Sequence, residues 1–162
     1  MITVFFDGAC EFWQGKRNPG GIATYGWLIQ KDSQVIARGY GEVGRGSDIS
    51  NNVAEYEALI KSLEAVRDLG LNGNELTILG DSQLIVNQVN GHWAITKDHL
   101  YQLKNRVSKL LDSLNSQKTI SWIPRKQNQD ADDLSKMAYQ EAKRRDGQPW
   151  DKRFRVATSQ PE

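Results

Sequence analysis

Four carboxylates stand at places in the chain where acidic side chains can do chemistry. Asp7 closes an apolar run and precedes Gly8. Asp81 closes another, within Gly80-Asp81-Ser82. Glu55 follows Ser50-Asn51-Asn52 at the head of an amphipathic segment, and Asp132 lies in Asp130-Ala131-Asp132-Asp133. Brought together, such groups raise one another's pKa and repel, so the cluster needs a compensating cation. Magnesium or manganese supplies it, because hard divalent ions take oxygen ligands. Two such ions about 3.5–4 Å apart make a site used for phosphodiester chemistry. Each acid also has a plainer reading. Asp7-Gly8 is a turn signal, and Asn52 with Glu55 spells a capping box. Asp81 or Ser82 can cap a helix, and Asp130, Asp132 and Asp133 suit the positive end of one. No single acid decides the matter; their joint placement does.

That placement depends on the elements around them. Residues 2–7 predict a strand, and residues 9–21 a polar, Gly-containing loop closing in Asn18-Pro19-Gly20-Gly21. Residues 22–29 and 34–40 predict two more strands, joined by a turn at Lys31-Asp32-Ser33, which makes an antiparallel meander. Val53, Tyr56, Ile60, Leu63 and Val66 recur at helical spacing until Gly70 and Asn72-Gly73 end the helix. Residues 75–79 form a strand running into Asp81. A short helix through Leu84, Ile85 and Val89 stops at Asn90-Gly91, and Leu100, Leu103, Val107, Leu110 and Leu114 mark a longer one. Residues 119–123 alternate as a strand ended by Pro124, and Ala131, Leu134, Met137 and Ala138 mark the last helix. The order βββαβααβα implies a single α/β domain, a five-stranded mixed sheet flanked by helices. Ligands in such sheets sit beyond the carboxyl ends of parallel strands. If the first and fourth strands are parallel neighbours, Asp7 and Asp81 project at the same end.

Composition narrows the class. With 162 residues the chain suits one domain, and 38% apolar residues support a core. No apolar run approaches the roughly 20 residues of a membrane span. The N-terminal stretch lacks a basic region and a cleavage site, so no secretory signal is read. Cys10 is the single cysteine, which suits a reducing cytoplasm. The net charge of +1 does not by itself point to nucleic acid; local basic groups such as Lys16-Arg17, Arg125-Lys126 and Lys143-Arg144-Arg145 would have to provide the contact. The domain is expected over residues 1–146, with a polar, basic tail over residues 147–162, and the protein is expected to be a cytoplasmic monomer.

Five segments, in order, carry a family resemblance: Asp7-Gly8-Ala9-Cys10, Asn18-Pro19-Gly20-Gly21, Ser50-Asn51-Asn52-Val53-Ala54-Glu55, Gly80-Asp81-Ser82-Gln83 and Asn128-Gln129-Asp130-Ala131-Asp132-Asp133-Leu134-Ser135. Over roughly residues 1–142 the chain resembles the type 1 ribonuclease H family. The resemblance implies an endonuclease that cuts the RNA strand of RNA–DNA hybrids, leaving 3′-hydroxyl and 5′-phosphate ends. It implies two magnesium ions, with manganese as a substitute, held by Asp7, Glu55, Asp81 and Asp132. The family pattern of a small residue, Asp, any residue, Leu and a small residue selects Asp132 over Asp130 and Asp133. By position, Asn51, Asn52 and Gln83 resemble contacts in the hybrid's minor groove. Gly8 to Cys10 resemble the backbone that approaches RNA 2′-hydroxyls, Ser50 a phosphate-pocket residue for the DNA strand, and Trp93 the aromatic wall of the DNA channel. Asn18 and Asn128 join the expected substrate contacts.

Three departures stand out. The stretch from Glu11 to Arg17 is longer than the common form. The segment from Gly91 to Leu100 is too short for the basic protrusion of many relatives, and Lys97, Lys104 and Arg106 are the candidates to supply its charge. Pro124-Arg125-Lys126-Gln127 has no histidine where many relatives carry one, which makes Arg125 the candidate substitute. An exonuclease of the same superfamily would place an acid two residues after Asp7, where this chain has Ala9. A non-catalytic binding domain would be expected to have lost an acid.

Overall fold

The computed structural model describes residues 1–12, 21–46 and 49–145. The elements follow in the expected order: β1 (Ile2–Phe12), β2 (Gly21–Lys31), β3 (Gln34–Gly46), α1 (Asn51–Asp68), β4 (Leu76–Gly80), α2 (Gln83–Val89), α3 (Asp98–Ser113), β5 (Lys118–Trp122) and α4 (Gln129–Arg145). A 3-10 turn over Arg125–Asn128 leads into α4. The strands form one sheet in the order β3-β2-β1-β4-β5. β2 pairs antiparallel with β1 and β3, while β4 runs parallel to β1 and β5. The first and fourth strands are thus parallel neighbours. Asn18 and residues 147–162 lie outside the described residues.

Two local expectations are corrected. β1 does not end at Asp7 but continues to Phe12, pairing Gly8 with Tyr25 and Phe12 with Gly21. The ladder is made by backbone groups, so it continues after the apolar alternation stops. The cap of α1 is Ser50, whose hydroxyl accepts from the Val53 N–H at 3.2 Å. Asn52 is inside the helix, and the capping-box reading of Glu55 falls with it. The β2–β3 turn narrows to Asp32 and Ser33, with φ of 50° and 71°, the conformation a two-residue hairpin needs.

Side chains alternate across the sheet. Ile2, Val4, Phe6, Leu76 and Ile78 pack with Tyr56, Leu59, Ile60 and Leu63 of α1 in the main core. Each such buried side chain contributes about 1.5–3 kcal/mol. On the opposite face Leu28 packs with Ala131 and Leu134 of α4. Two glycines set how close these helices come. A Cβ on Gly8 would overlap the Ala54 carbonyl and Glu55 amide of α1, and one on Gly26 would overlap the Ala131 carbonyl of α4. One helix carries Glu55 and the other Asp132, so both close approaches bear on the acids.

Candidate active site

Asp7 in the middle of β1, Glu55 on α1 and Asp81 just past β4 come together where the parallel β1–β4 ladder stops, after the Phe6–Gly80 pair. One carboxylate oxygen from each lies within 4.8 Å of the others. Asp7 and Glu55 are only 5% and 8% exposed. The Gly8 N–H donates to Glu55 Oε2 at 3.2 Å, which turns Glu55 toward Asp7's strand. Ser82, not Asp81, caps α2, accepting from the Ile85 N–H at 3.3 Å, so the Asp81 carboxylate is not spent on the helix. It accepts instead from Asn128 Nδ2 at 3.4 Å, and its main-chain carbonyl accepts from the Trp122 indole N–H at 3.1 Å.

The electrostatics match the crowding. Burial first, then Glu55, Asp81 and Asp132, push the Asp7 carboxyl up to about 11. Burial and then Asp81 push Glu55 up to about 8, against the Gly8 N–H. Burial also raises Asp81, opposed by the Asn128 amide and the Arg125 charge. A buried set of oxygen donors that repel one another is the donor chemistry a hard divalent cation takes.

Asp132 lines the same cavity, about 530 Å³, together with Gly8, Cys10, Asn51, Asn52 and Arg125. It is not one of the three converging carboxylates. Its oxygens face cations: Lys136 Nζ at 2.9 Å and Arg125 at 3.7 Å. The three neighbouring aspartates differ in burial. Asp132 is 4% exposed, Asp130 faces solvent, and Asp133 is half-buried and accepts from Gln129 Nε2 at 2.8 Å. Replacing Asp132 by Asn is therefore expected to lower hydrolytic turnover at least about 100-fold. The same change at Asp133 is expected to stay within about three-fold of wild type. Loss at Asp133 with activity retained at Asp132 would reverse the assignment.

The remaining expected contacts divide by position. The Cys10 N–H donates to Asn51 Oδ1 at 2.8 Å, leaving the Asn51 NH2 as the donor offered to the cavity. Ser50 lines a neighbouring cavity of about 700 Å³ with Lys97, His99, Gln102 and Arg106. Gln83 and Trp93 are exposed outside both cavities. Asn128 departs from its expected role: it is 1% exposed, and its Nδ2 donates to the Phe6 carbonyl at 2.9 Å as well as to Asp81. It ties β1 to the start of α4 and braces Asp81 from beneath, so direct substrate contact is withdrawn. Between α2 and α3 lies only the connection over residues 90–97, with no protruding helix. Lys136, Trp122 and Gly26 went unnoticed in the sequence. Only Lys136 left a signal there, the Asp132-x-x-x-Lys136 spacing of a helical ion pair.

The parallel strand pair, the helix between them and the carboxylates where their ladder stops define a ribonuclease H-like α/β protein. The family model described as reverse transcriptase-like matches residues 6–138. The chain is 37% identical over 142 residues to ribonuclease HI of Halobacterium salinarum, covering 87% of this chain and 65% of that protein. The crystal structure of RNase H1 from the same archaeon superposes with a TM-score of 0.74 at 33% identity, over 86% of this chain and 98% of the other. LC11-RNase H1, solved in complex with an RNA/DNA hybrid, gives 0.76 at 28% identity, over 88% and 99%. The chain thus belongs to the type 1 ribonuclease H family within the reverse transcriptase-like group. It spans less than two thirds of the length of the curated relatives it first matches, 65% and 57%. No helix among the described residues is long and apolar enough to cross a membrane.

Proposed function

We propose that the protein is an endoribonuclease that hydrolyses the RNA strand of RNA–DNA hybrids, leaving 3′-hydroxyl and 5′-phosphate ends. The observation that carries this is the convergence of Asp7, Glu55 and Asp81 in a chain of this family. Asp7, Glu55 and Asp81, with Asp132 beside them, would hold two magnesium ions, manganese being a substitute. When bound, the ions supply an activated water and a stabilised leaving oxygen.

The chain's own residues do the positioning. The Gly8 N–H fixes Glu55, Asn128 and Trp122 fix Asp81, and Arg125 adds a positive charge at the mouth of the cavity. β1 from Gly8 to Cys10 lines the cavity with small residues, where a ribose 2′-hydroxyl can approach backbone; that hydroxyl separates RNA from DNA. The Asn51 NH2, held outward by Cys10, suits acceptors on minor-groove base edges. Ser50, Lys97, His99 and Arg106 bring polar and positively charged groups to a neighbouring cavity otherwise lined by Ile49, Val53 and Leu103, and those groups suit the phosphates of the other strand. Trp93 and Gln83 stand as further contacts along it.

The protein is expected to cut an RNA–DNA duplex in magnesium and to leave a DNA duplex of the same sequence intact. A gel comparing both substrates, with and without chelator, checks this. Failure to cut the hybrid in magnesium or manganese would sink the proposal.

A further inference from the structure

The fourth carboxylate differs from the other three in already having cations. Lys136 Nζ lies 2.9 Å from one Asp132 oxygen and an Arg125 nitrogen lies 3.7 Å from the other. Among the described residues no ion pair joins Asp7, Glu55 or Asp81, Asp81 feeling Arg125 only at longer range, and these three offer oxygens within 4.8 Å of one another. The two cations are held differently. The Arg125 side chain is 75% exposed, on the turn before α4. The Lys136 side chain is 31% exposed and sits one helical turn beyond Asp132. Lys136 is therefore anchored by α4 itself, and it stays beside Asp132 whatever the turn does. A buried carboxylate needs a counter-charge, and here an ammonium provides it. A divalent ion drawn to Asp132 must displace that ammonium or sit a few ångströms from it, against like-charge repulsion.

Resting on the metal-site reading above, we infer that Lys136 is a positioning residue that holds down the affinity of Asp132 for a divalent cation. Occupancy is then sequential: the ion at Asp7, Glu55 and Asp81 binds first, and the one that shares Asp132 binds last and more weakly. The same contact keeps Asp132 aimed at the cavity while the second ion is absent, so the order of filling is set by the protein as well as by metal concentration.

The test uses the full chain and Mn2+ alone, followed by electron paramagnetic resonance of the free ion, which counts bound ions without turnover. The wild type is expected to show a tight and a weak class. Lys136→Met should tighten the weak class about ten-fold and leave the tight class within about two-fold. Lys136→Arg, which keeps the charge, should restore wild-type values, and Asp132→Asn should abolish the weak class. Lys136→Gln serves as a second neutral variant should the Met variant lose its near-ultraviolet circular dichroism. A weak class that is unchanged or weakened in the folded neutral variant overturns the inference alone. A wild type that binds no Mn2+ overturns the metal reading and this inference with it.

Discussion

Asp7→Asn is expected to abolish cleavage and, at neutral pH without metal, to make the protein more stable. The two effects have one origin. Asp7 is 5% exposed and shares its surroundings with Glu55, Asp81 and Asp132. Crowded carboxylates repel one another, and a bound cation would offset that repulsion. The sign with pH follows from the shift. In the unfolded chain the Asp7 carboxyl loses its proton near its ordinary value of 3.8, whereas in the fold it keeps it up to about 11. Between those values the native state binds the extra proton, so its stability is full below about pH 4 and declines as pH rises through the window. Asparagine is neutral in both states, so it folds without having to take up a proton. The variant should gain about 2 kcal/mol at pH 8, or about 4–8 °C in Tm, and that gap should close toward pH 4. Magnesium should raise the Tm of the wild type far more than that of the variant. Thermal melts at both pH values in chelator, with a hybrid-cleavage assay, check all parts. Near-normal turnover would remove Asp7 from the site, and a stability gap equal at both pH values would remove the electrostatic cause.

Gly8→Ala is the second large effect, and it acts through backbone instead of charge. The added methyl would overlap the Ala54 carbonyl and Glu55 amide, and backbone cannot swing aside as a flexible side chain can. Either α1 lifts from β1, opening the core around Phe6 and Tyr56, or β1 bends away from β2. Overpacking of this kind costs about 3 kcal/mol, a fall of about 6–12 °C in Tm. Catalysis suffers separately, because the Gly8 N–H holds Glu55 and a displacement near 1 Å can cost about 100-fold in rate. Denaturant melts and kcat measured well below the new Tm separate the two. An alanine variant within about 1 kcal/mol of wild type and with normal turnover would show that α1 and β1 have room to spare.

Much of this was legible in the sequence. Helical and strand periods gave the strands and the four main helices in order, whereas the parallel pairing of β1 with β4 stood in the sequence only as a condition and is seen in the sheet order. What was not legible had specific causes. Antiparallel pairing beyond Asp7 is a property of the backbone, so side-chain alternation could not reveal that β1 runs to Phe12. Ser50, Asn51 and Asn52 are all good capping residues, and only the fold shows that Ser50 is the one used. Asp130, Asp132 and Asp133 share composition but not direction, and burial separates them where spacing does not. Asn128 had the chemistry of a contact residue, yet its surroundings place it beneath the site. Lys136 carried only a generic pairing signal, whose importance depends on which aspartate it meets.

The bond from Asn128 to the Phe6 carbonyl spans 122 positions of sequence. β1 is made long before the turn that carries Asn128. Only when the turn before α4 and α4 itself arrive can Asn128 brace Asp81 and Asp132 reach the cavity. Contacts so distant along the chain carry a loop-closure cost before they return any stability, which makes for slow folding. A chain interrupted before α4 lacks Asp132 and Lys136 and leaves bare the sheet face that Ala131 and Leu134 cover.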